Sequence, residues 1–119
     1  MANELTLSAS LKFVKGSKNR AFSKSGIQLD VAGKNYTHKS QTIGTSEEAL
    51  ALGDVATPGY ILVYNESTTN FVSIRSGTGA ANLVKIPPGG IALFHCEALA
   101  PFAVAHTAAV DIEYLLIEA

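Results

Sequence analysis

LTLSASLKF, residues 5–13, alternates apolar and polar side chains without interruption. Successive side chains of an extended strand point to opposite faces, so a period of two places all the apolar residues on one side. The stretch therefore predicts a half-buried β-strand. The same alternation returns at Ile27–Val31 and at residues 71–76, and the compact apolar runs YILVY (60–64) and IALFHC (91–96) predict buried strands.

Turn-forming residues divide the rest of the chain at intervals of roughly ten residues. The clusters are AGKN (32–35), ATPG (56–59), NESTTN (65–70), GTGA (77–80) and PPGG (87–90). Further strands are expected between them, at 36–43, 83–86, 102–105 and 110–117. Eight or nine short strands with no repeat and no linker predict an all-β fold, an antiparallel, jelly-roll-like β-sandwich that forms a single domain over residues 1–119.

The segment TSEEALAL, residues 45–52, is open to two interpretations. Thr45-Ser46-Glu47-Glu48 resembles a capping box that opens a helix. However, Gly53 would end that helix after about two turns, which is too short to be stable alone. Because Leu50 and Leu52 also fit an alternating strand, we favour a strand here.

The composition indicates a globular protein that can bury a core and still expose apolar side chains on its surface. Hydrophobic residues make up 47% of the 119 positions and charged residues 16%, against about 25% charged in average soluble domains. This suits a protein whose faces are covered by neighbours, and equally a tight sandwich with a modest surface. No apolar run approaches the ~20 residues that span a bilayer, and residues 1–4 carry no basic leader. A soluble protein made in the cytoplasm is expected.

Charge is unevenly distributed along the chain. Residues 1–39 hold seven basic and two acidic residues, whereas residues 40–119 hold two basic and eight acidic ones. The segment from Lys15 to Ser25 is polar and predicts a basic loop at about 15–25. Such asymmetry is typical of a polyanion-binding arm, or of two faces of opposite sign that meet in a repeating assembly. The candidate partner-binding residues are Lys15, Lys18, Arg20 and Lys24.

Two aromatic residues among these bases, Phe13 and Phe22, raise the alternative of single-stranded nucleic-acid binding. Phe13, however, continues the apolar face of the first strand and is explained as a core residue. Nucleic acid is therefore not among the expected partners.

No pattern typical of an enzyme is present. Gly77-Thr78-Gly79 lacks the third glycine and the following helix of a dinucleotide site, so it predicts a turn. His95, Glu97 and His106 are residue types that could bind a metal in a jelly roll, but metal sites in such folds usually have more ligands close together. Cys96, the one cysteine, is expected to be a buried hydrophobe. We expect no catalytic residue, no metal and no cofactor.

Four stretches resemble small virion proteins of tailed bacteriophages, namely capsid decoration (cement) proteins and neighbouring neck or tail components. They are QTIGTSEEALALGDV (41–55), the Gly59–Ile74 arrangement GY…N…NFVSI, LVKIPPGG (83–90) and VDIEYLL (110–116). The resemblance covers roughly residues 1–117. It implies a strand hairpin with an Asn-containing turn, a Pro-Gly corner before an apolar strand, and a terminal strand that closes the sheet.

The function that this resemblance implies is structural. A decoration protein would bind and stabilise the head shell through the major capsid protein or other virion proteins, in many symmetric copies or as a homo-oligomer. The alternatives are a tail, neck or baseplate component, and a carbohydrate- or receptor-binding module that stacks ligand on Tyr36, Tyr60 and Tyr64. A cupin-like metalloenzyme is a third alternative, and its only support is that the expected fold permits it.

Overall fold

A computed structural model describes residues 4–96 and 101–119, and its contacts divide the chain into two compact units, Met1–Ala32 and Gly33–Ala119. Every regular element of the described residues is a β-strand, and every strand pairing is antiparallel. The predicted all-β fold is confirmed. Ten strands occur in the described residues, where the sequence predicted eight or nine.

The first unit is a hairpin of two long strands, β1 (Leu5–Lys15) and β2 (Lys18–Leu29). Their register runs from the pair Leu5–Leu29 to the pair Lys15–Lys18, so only residues 16 and 17 form the turn. Gly16 occupies the left-handed region at φ +58, which tight hairpin turns require. The basic loop predicted at 15–25 is wrong. Most of that segment is strand, because its polar residues pair with the strongly alternating β1.

The second unit is built from eight strands. In chain order these are β3 (Tyr36–Ile43), β4 (Glu48–Ala49), β5 (Pro58–Asn65), β6 (Val72–Arg75), β7 (Asn82–Ile86), β8 (Ile91–His95), β9 (Phe102–Ala105) and β10 (Val110–Glu118). They form two four-stranded sheets, in the orders β3-β10-β5-β8 and β4-β9-β6-β7. We call these sheet I and sheet II.

The core of the second unit lies between the two sheets. The central strands β5 and β10 of sheet I contribute alternate side chains, including the fully buried Ile61, Val63 and Ile112, and β6 of sheet II contributes Val72 and Ile74. This burial is the alternation expected of strands that face a common core. The second unit is therefore a sandwich.

Residues 45–52, which the sequence allowed to be interpreted as a helix or a strand, form no helix. Glu48 and Ala49 form the two-residue strand β4, and Leu50 follows it into the core at 1% exposure. The Glu48 carboxylate accepts a hydrogen bond from the Gly44 N–H. The preference for a strand over a helix is right only for Glu48 and Ala49, because Leu50 and Leu52 lie outside the strand.

The turn after β5 does not join a hairpin, contrary to what the resemblance implies. Strand β5 belongs to sheet I and β6 to sheet II, so residues 66–71 carry the chain from one sheet to the other. Asn65 organises the crossing. Its fully buried amide donates to the carbonyls of Asn70, Ile86 and Pro87, and its side-chain oxygen accepts from the Ser67 N–H.

Candidate functional site

The hairpin presents one face on which apolar and basic side chains are combined. Directly opposed residues of an antiparallel pair share a face, and the register of β1 and β2 therefore assigns a common side to a set that we call the hairpin face. Its members are Leu5, Leu7, Ala9, Leu11, Phe13 and Lys15 on β1, and Lys18, Arg20, Phe22, Lys24, Ile27 and Leu29 on β2. All four basic residues singled out from the sequence lie here, whereas Lys12 lies on the opposite face with Ala21.

A β-bulge keeps the apolar residues of β2 together. Between the pairs Leu7–Ile27 and Ala9–Lys24, β2 advances three residues while β1 advances two. Without that extra residue, Phe22 would point away from Ile27, because side chains alternate with a period of two. Gly26 lies within the bulge in the left-handed region at φ +68. The broken alternation explains why the sequence did not indicate a strand over residues 18–26.

The hairpin face is exposed along most of its length. Leu11 is 76% exposed, Phe13 55% and Phe22 66%. The Lys24 ammonium lies 5.7 Å from the centroid of the Phe22 ring, a cation–π distance. Phe13, which the sequence assigned to the core, is therefore a surface residue.

The outer face of sheet I is a second exposed apolar surface. An antiparallel sheet with one covered side normally alternates apolar-in and polar-out, and this sheet departs from that pattern. The strand register places the following residues on the side away from the core, a set that we call the sheet face: Tyr36, His38, Ser40, Thr42, Tyr60, Leu62, Tyr64, Ile91, Leu93, His95, Asp111, Glu113, Leu115 and Ile117. Ile91 is 66% exposed, and Leu62 and Tyr64 are each 42% exposed.

The polar end of the sheet face is acidic. Asp111 and Glu113 lie on β10 beside Thr42 and His38 of β3. The Thr42 hydroxyl donates to the Asp111 carboxylate at 2.6 Å, and the Glu113 carboxylate lies 2.8 Å from His38 Nε2. Neither lysine nor arginine occupies an outward position on the four strands of sheet I. The sheet face is thus apolar and acidic, the hairpin face apolar and basic.

The three histidines have separate partners. His38 contacts Glu113, His95 lies edge-on to the Tyr60 ring, and His106 hydrogen-bonds Ser73 while it stacks on Phe71. His95 belongs to sheet I, whereas His106 follows a strand of sheet II. Glu97, the remaining residue of the cupin-like alternative, lies outside the described residues. Among residues 4–96 and 101–119, no three histidine, cysteine or carboxylate side chains cluster as metal ligands.

Cys96 is buried at 6% exposure, as expected from the sequence. Burial raises the pKa of its thiol to about 11, so the thiol is protonated at neutral pH, whereas nucleophilic cysteines depend on the thiolate. A cavity of about 150 Å³ beside it is bordered by Arg75, Leu83 and Phe94.

Comparison of the chain with protein-family models, with curated proteins and with solved structures finds no match. No helix in the described part of the chain has the length and apolar character needed to cross a membrane. The sequence analysis singled out the four bases, whose role in binding stays a prediction, and it did not identify either exposed apolar surface. The sheet face was hidden because its members come from four strands that are distant in sequence.

Proposed function

We propose that this chain is a structural subunit of a tailed-bacteriophage virion, a capsid decoration protein that binds the head shell and stabilises it. Its partners are the major capsid protein or other virion proteins, and it is present in many copies. The observation that carries the proposal is the hairpin face, an exposed strip of apolar and basic side chains on a two-stranded hairpin. The bacteriophage setting comes from the sequence resemblance described above.

The exposure of the hairpin supports a role in contact with other proteins. An isolated two-stranded hairpin is marginally stable in water, and a third strand or a packed face normally stabilises it. Large exposed apolar patches mark interaction surfaces in soluble proteins. The basic side chains add complementary potential, which guides encounter and fixes register.

The order of the strands is also consistent with a virion protein. If the eight strands of the second unit are renumbered from one, sheet I reads 1-8-3-6 and sheet II reads 2-7-4-5. We propose that this is a jelly roll, an eight-stranded double sheet that occurs in viral capsid proteins as well as in lectins and cupins. Since one fold hosts many functions, this order supports the proposal without carrying it.

The test mixes purified protein with particles that lack it and measures bound copies by gel electrophoresis. Replacement of Lys15, Lys18, Arg20 and Lys24 by serine should leave the melting temperature nearly unchanged, because solvated charges contribute little to stability. Occupancy of the particles should fall several-fold. Wild-type occupancy should also fall with added salt, which screens exposed charges over ~10 Å at 0.1 M.

The matched control is Lys12→Ser, which removes a base from the opposite face of the same hairpin. Its occupancy should equal that of the wild type. Equal occupancy of the fourfold variant would remove the hairpin bases from the attachment surface. Failure of the wild type to bind any particle would refute the decoration role. Protein bound only to the tails of the particles would assign the chain to the tail, neck or baseplate.

A second candidate function, carbohydrate or receptor binding, is favoured by one observation. Tyr36, Tyr60 and Tyr64 all lie on the sheet face, where their rings could stack on a sugar. Titration of host-surface polysaccharide, followed by tyrosine fluorescence, tests it. A saturable signal lost in Tyr64→Ser would support this function over decoration.

A further inference from the structure

We propose that the hairpin face of one copy packs on the sheet face of a second copy, so that the chain assembles head to tail. This inference deepens the proposed function, on which it rests for its setting, because it names one neighbour of the hairpin: another copy of the same chain. The alternative occupants are a second sheet face and an unrelated protein.

Charge complementarity identifies the second copy as the occupant. The unit Met1–Ala32 holds five basic and two acidic residues, a balance of +3, whereas Gly33–Ala119 holds four basic and eight acidic residues, a balance of −4. The same opposition holds between the two faces, since Arg20 and Lys24 lie on the hairpin face and Asp111 and Glu113 on the sheet face. Two sheet faces brought together would instead oppose carboxylates of the same sign.

The two faces also match in chemistry, and the sheet face is wide enough to accept the two strands of a hairpin. Both are strand surfaces with exposed apolar side chains, and β-sheets pack face to face about 10 Å apart. At about 3.3 Å per residue and 4.8 Å between strands, the eleven-residue hairpin strand is about 36 Å long and the four-stranded sheet face measures roughly 19 by 26 Å. A hairpin laid on the sheet would cover the exposed Leu62, Tyr64 and Ile91 while it buried Leu11, Phe13 and Phe22.

The geometry predicts the type of assembly. Each copy offers one hairpin face and one sheet face, so the contact is heterologous and produces a ring if its rotation closes, or an open chain if it does not. A two-stranded hairpin covers only a few hundred Å², below the roughly 800 Å² that each partner of a standard interface buries. A single contact is therefore weak, and closure or attachment to a particle strengthens it through multivalency.

The experiment measures the mass of the full-length chain, without particles, by sedimentation over a broad concentration range. The wild type should associate reversibly. Phe22→Ser on the hairpin face and Ile91→Lys on the sheet face should each weaken association at least tenfold, and both sites are exposed enough to spare the fold. The matched controls are Ala21→Ser on the opposite hairpin face and Leu83→Lys, which changes an exposed apolar residue of sheet II. Both should associate like the wild type, and circular dichroism verifies that every variant is folded.

A mixture of the two defective variants gives the decisive result. Phe22→Ser retains an intact sheet face and Ile91→Lys an intact hairpin face, so an equimolar mixture should form a heterodimer although each variant alone is monomeric. A monomeric wild type at all concentrations would overturn the inference. So would a mixture that stays monomeric, or association lost in Ile91→Lys but retained in Phe22→Ser, which would show that sheet faces pair with each other.

Failure of this inference can be told apart from failure of the proposed function. A chain that binds particles but stays monomeric in solution and is insensitive to Ile91→Lys would retain its decoration role and lose the head-to-tail contact. A chain that associates as described but binds no particle would retain the contact and lose the decoration role.

Discussion

Asn65 holds three segments of the sandwich together. Its buried amide donates to the carbonyls of Asn70, Ile86 and Pro87 at 3.0 to 3.2 Å. Its backbone N–H also donates to the Gly90 carbonyl, and its own carbonyl accepts from the Gly89 N–H. The end of β5, the crossing to β6 and the Pro-Gly corner before β8 are therefore all hydrogen-bonded to one residue.

The substitution Asn65→Ala should reduce the free energy of unfolding by about 2–4 kcal/mol, because it leaves buried carbonyl groups without donors. Urea denaturation measures the change. The control is Asn19→Ala on the exposed hairpin strand β2, which should change stability by less than about 0.5 kcal/mol. A cost for Asn65→Ala no larger than that of the control would contradict the structural role.

Glu118 is a second residue whose effect can be measured, through pH. Its carboxylate accepts hydrogen bonds from the backbone N–H groups of Ala56 at 2.8 Å, Lys34 at 3.1 Å and Asn35 at 3.3 Å. The bond from Ala56 is the main reason that the pKa of Glu118 lies below its ordinary value, and the bonds from Lys34 and Asn35 act in the same direction. The folded state therefore favours the ionised carboxylate.

A carboxyl group whose pKa is lowered by folding stabilises the folded state fully at pH values above its ordinary pKa of 4.5. That contribution is lost as the pH falls through the lower pKa that the group has in the folded state. Glu118→Gln should therefore lower stability at neutral pH and reduce the loss of stability between neutral and acidic pH. Thermal unfolding at a series of pH values measures both effects. Glu66→Gln, at an exposed carboxylate, is the control, and an identical pH dependence for both variants would argue against the Glu118 contacts.

At the scale of the element, the bulge in β2 decides which side chains the hairpin presents together. The extra residue between Lys24 and Ile27 places Phe22 on the same face as Ile27 and Leu29. A hairpin without the bulge would divide its apolar residues between two faces, and neither face would match an apolar sheet.

Deletion of Ser25 tests the importance of the bulge. The deletion reduces the spacing between Phe22 and Ile27 from five residues to four, so a regular ladder should leave Phe22 opposite Leu11 on the hairpin face. Association between copies should therefore stay close to that of the wild type. Sedimentation measures association, and amide hydrogen exchange of β1 and β2 reports their pairing. Association lost in this variant would show that the contact requires the bulge itself and not only the side chains that it places on the hairpin face.

At the scale of the whole molecule, all buried core residues in the described ranges belong to the second unit. The first of them along the chain is Ile43, and the hairpin contributes none. The hairpin unit is thus basic in composition and the sandwich unit acidic. The sequence-based expectation of one domain over residues 1–119 stays a prediction that unfolding experiments can address.

A chain that begins at Gly33 should fold and melt within a few degrees of the full-length protein, because the sandwich core contains no hairpin side chain. Circular dichroism measures both its strand content and its melting temperature. The truncated chain should neither associate nor bind particles. A large loss of melting temperature would show instead that the hairpin and the sandwich unfold as one cooperative domain.

Much of the local structure of this protein, although not the strand after Gly16, could be predicted from the sequence. Alternation along residues 5–13 and the turn clusters at 56–59, 65–70 and 87–90 identified strands and their ends, since side-chain direction and turn conformation depend on neighbouring residues. The isolated cysteine in the apolar run 91–96 likewise indicated its burial. The remaining features depend on contacts between residues that are distant in sequence. Tyr36 pairs with Ile117, which lies near the other end of the sequence, so the sheet face forms only when distant strands pair. The polar segment after Gly16 becomes a strand because β1 is its pairing partner.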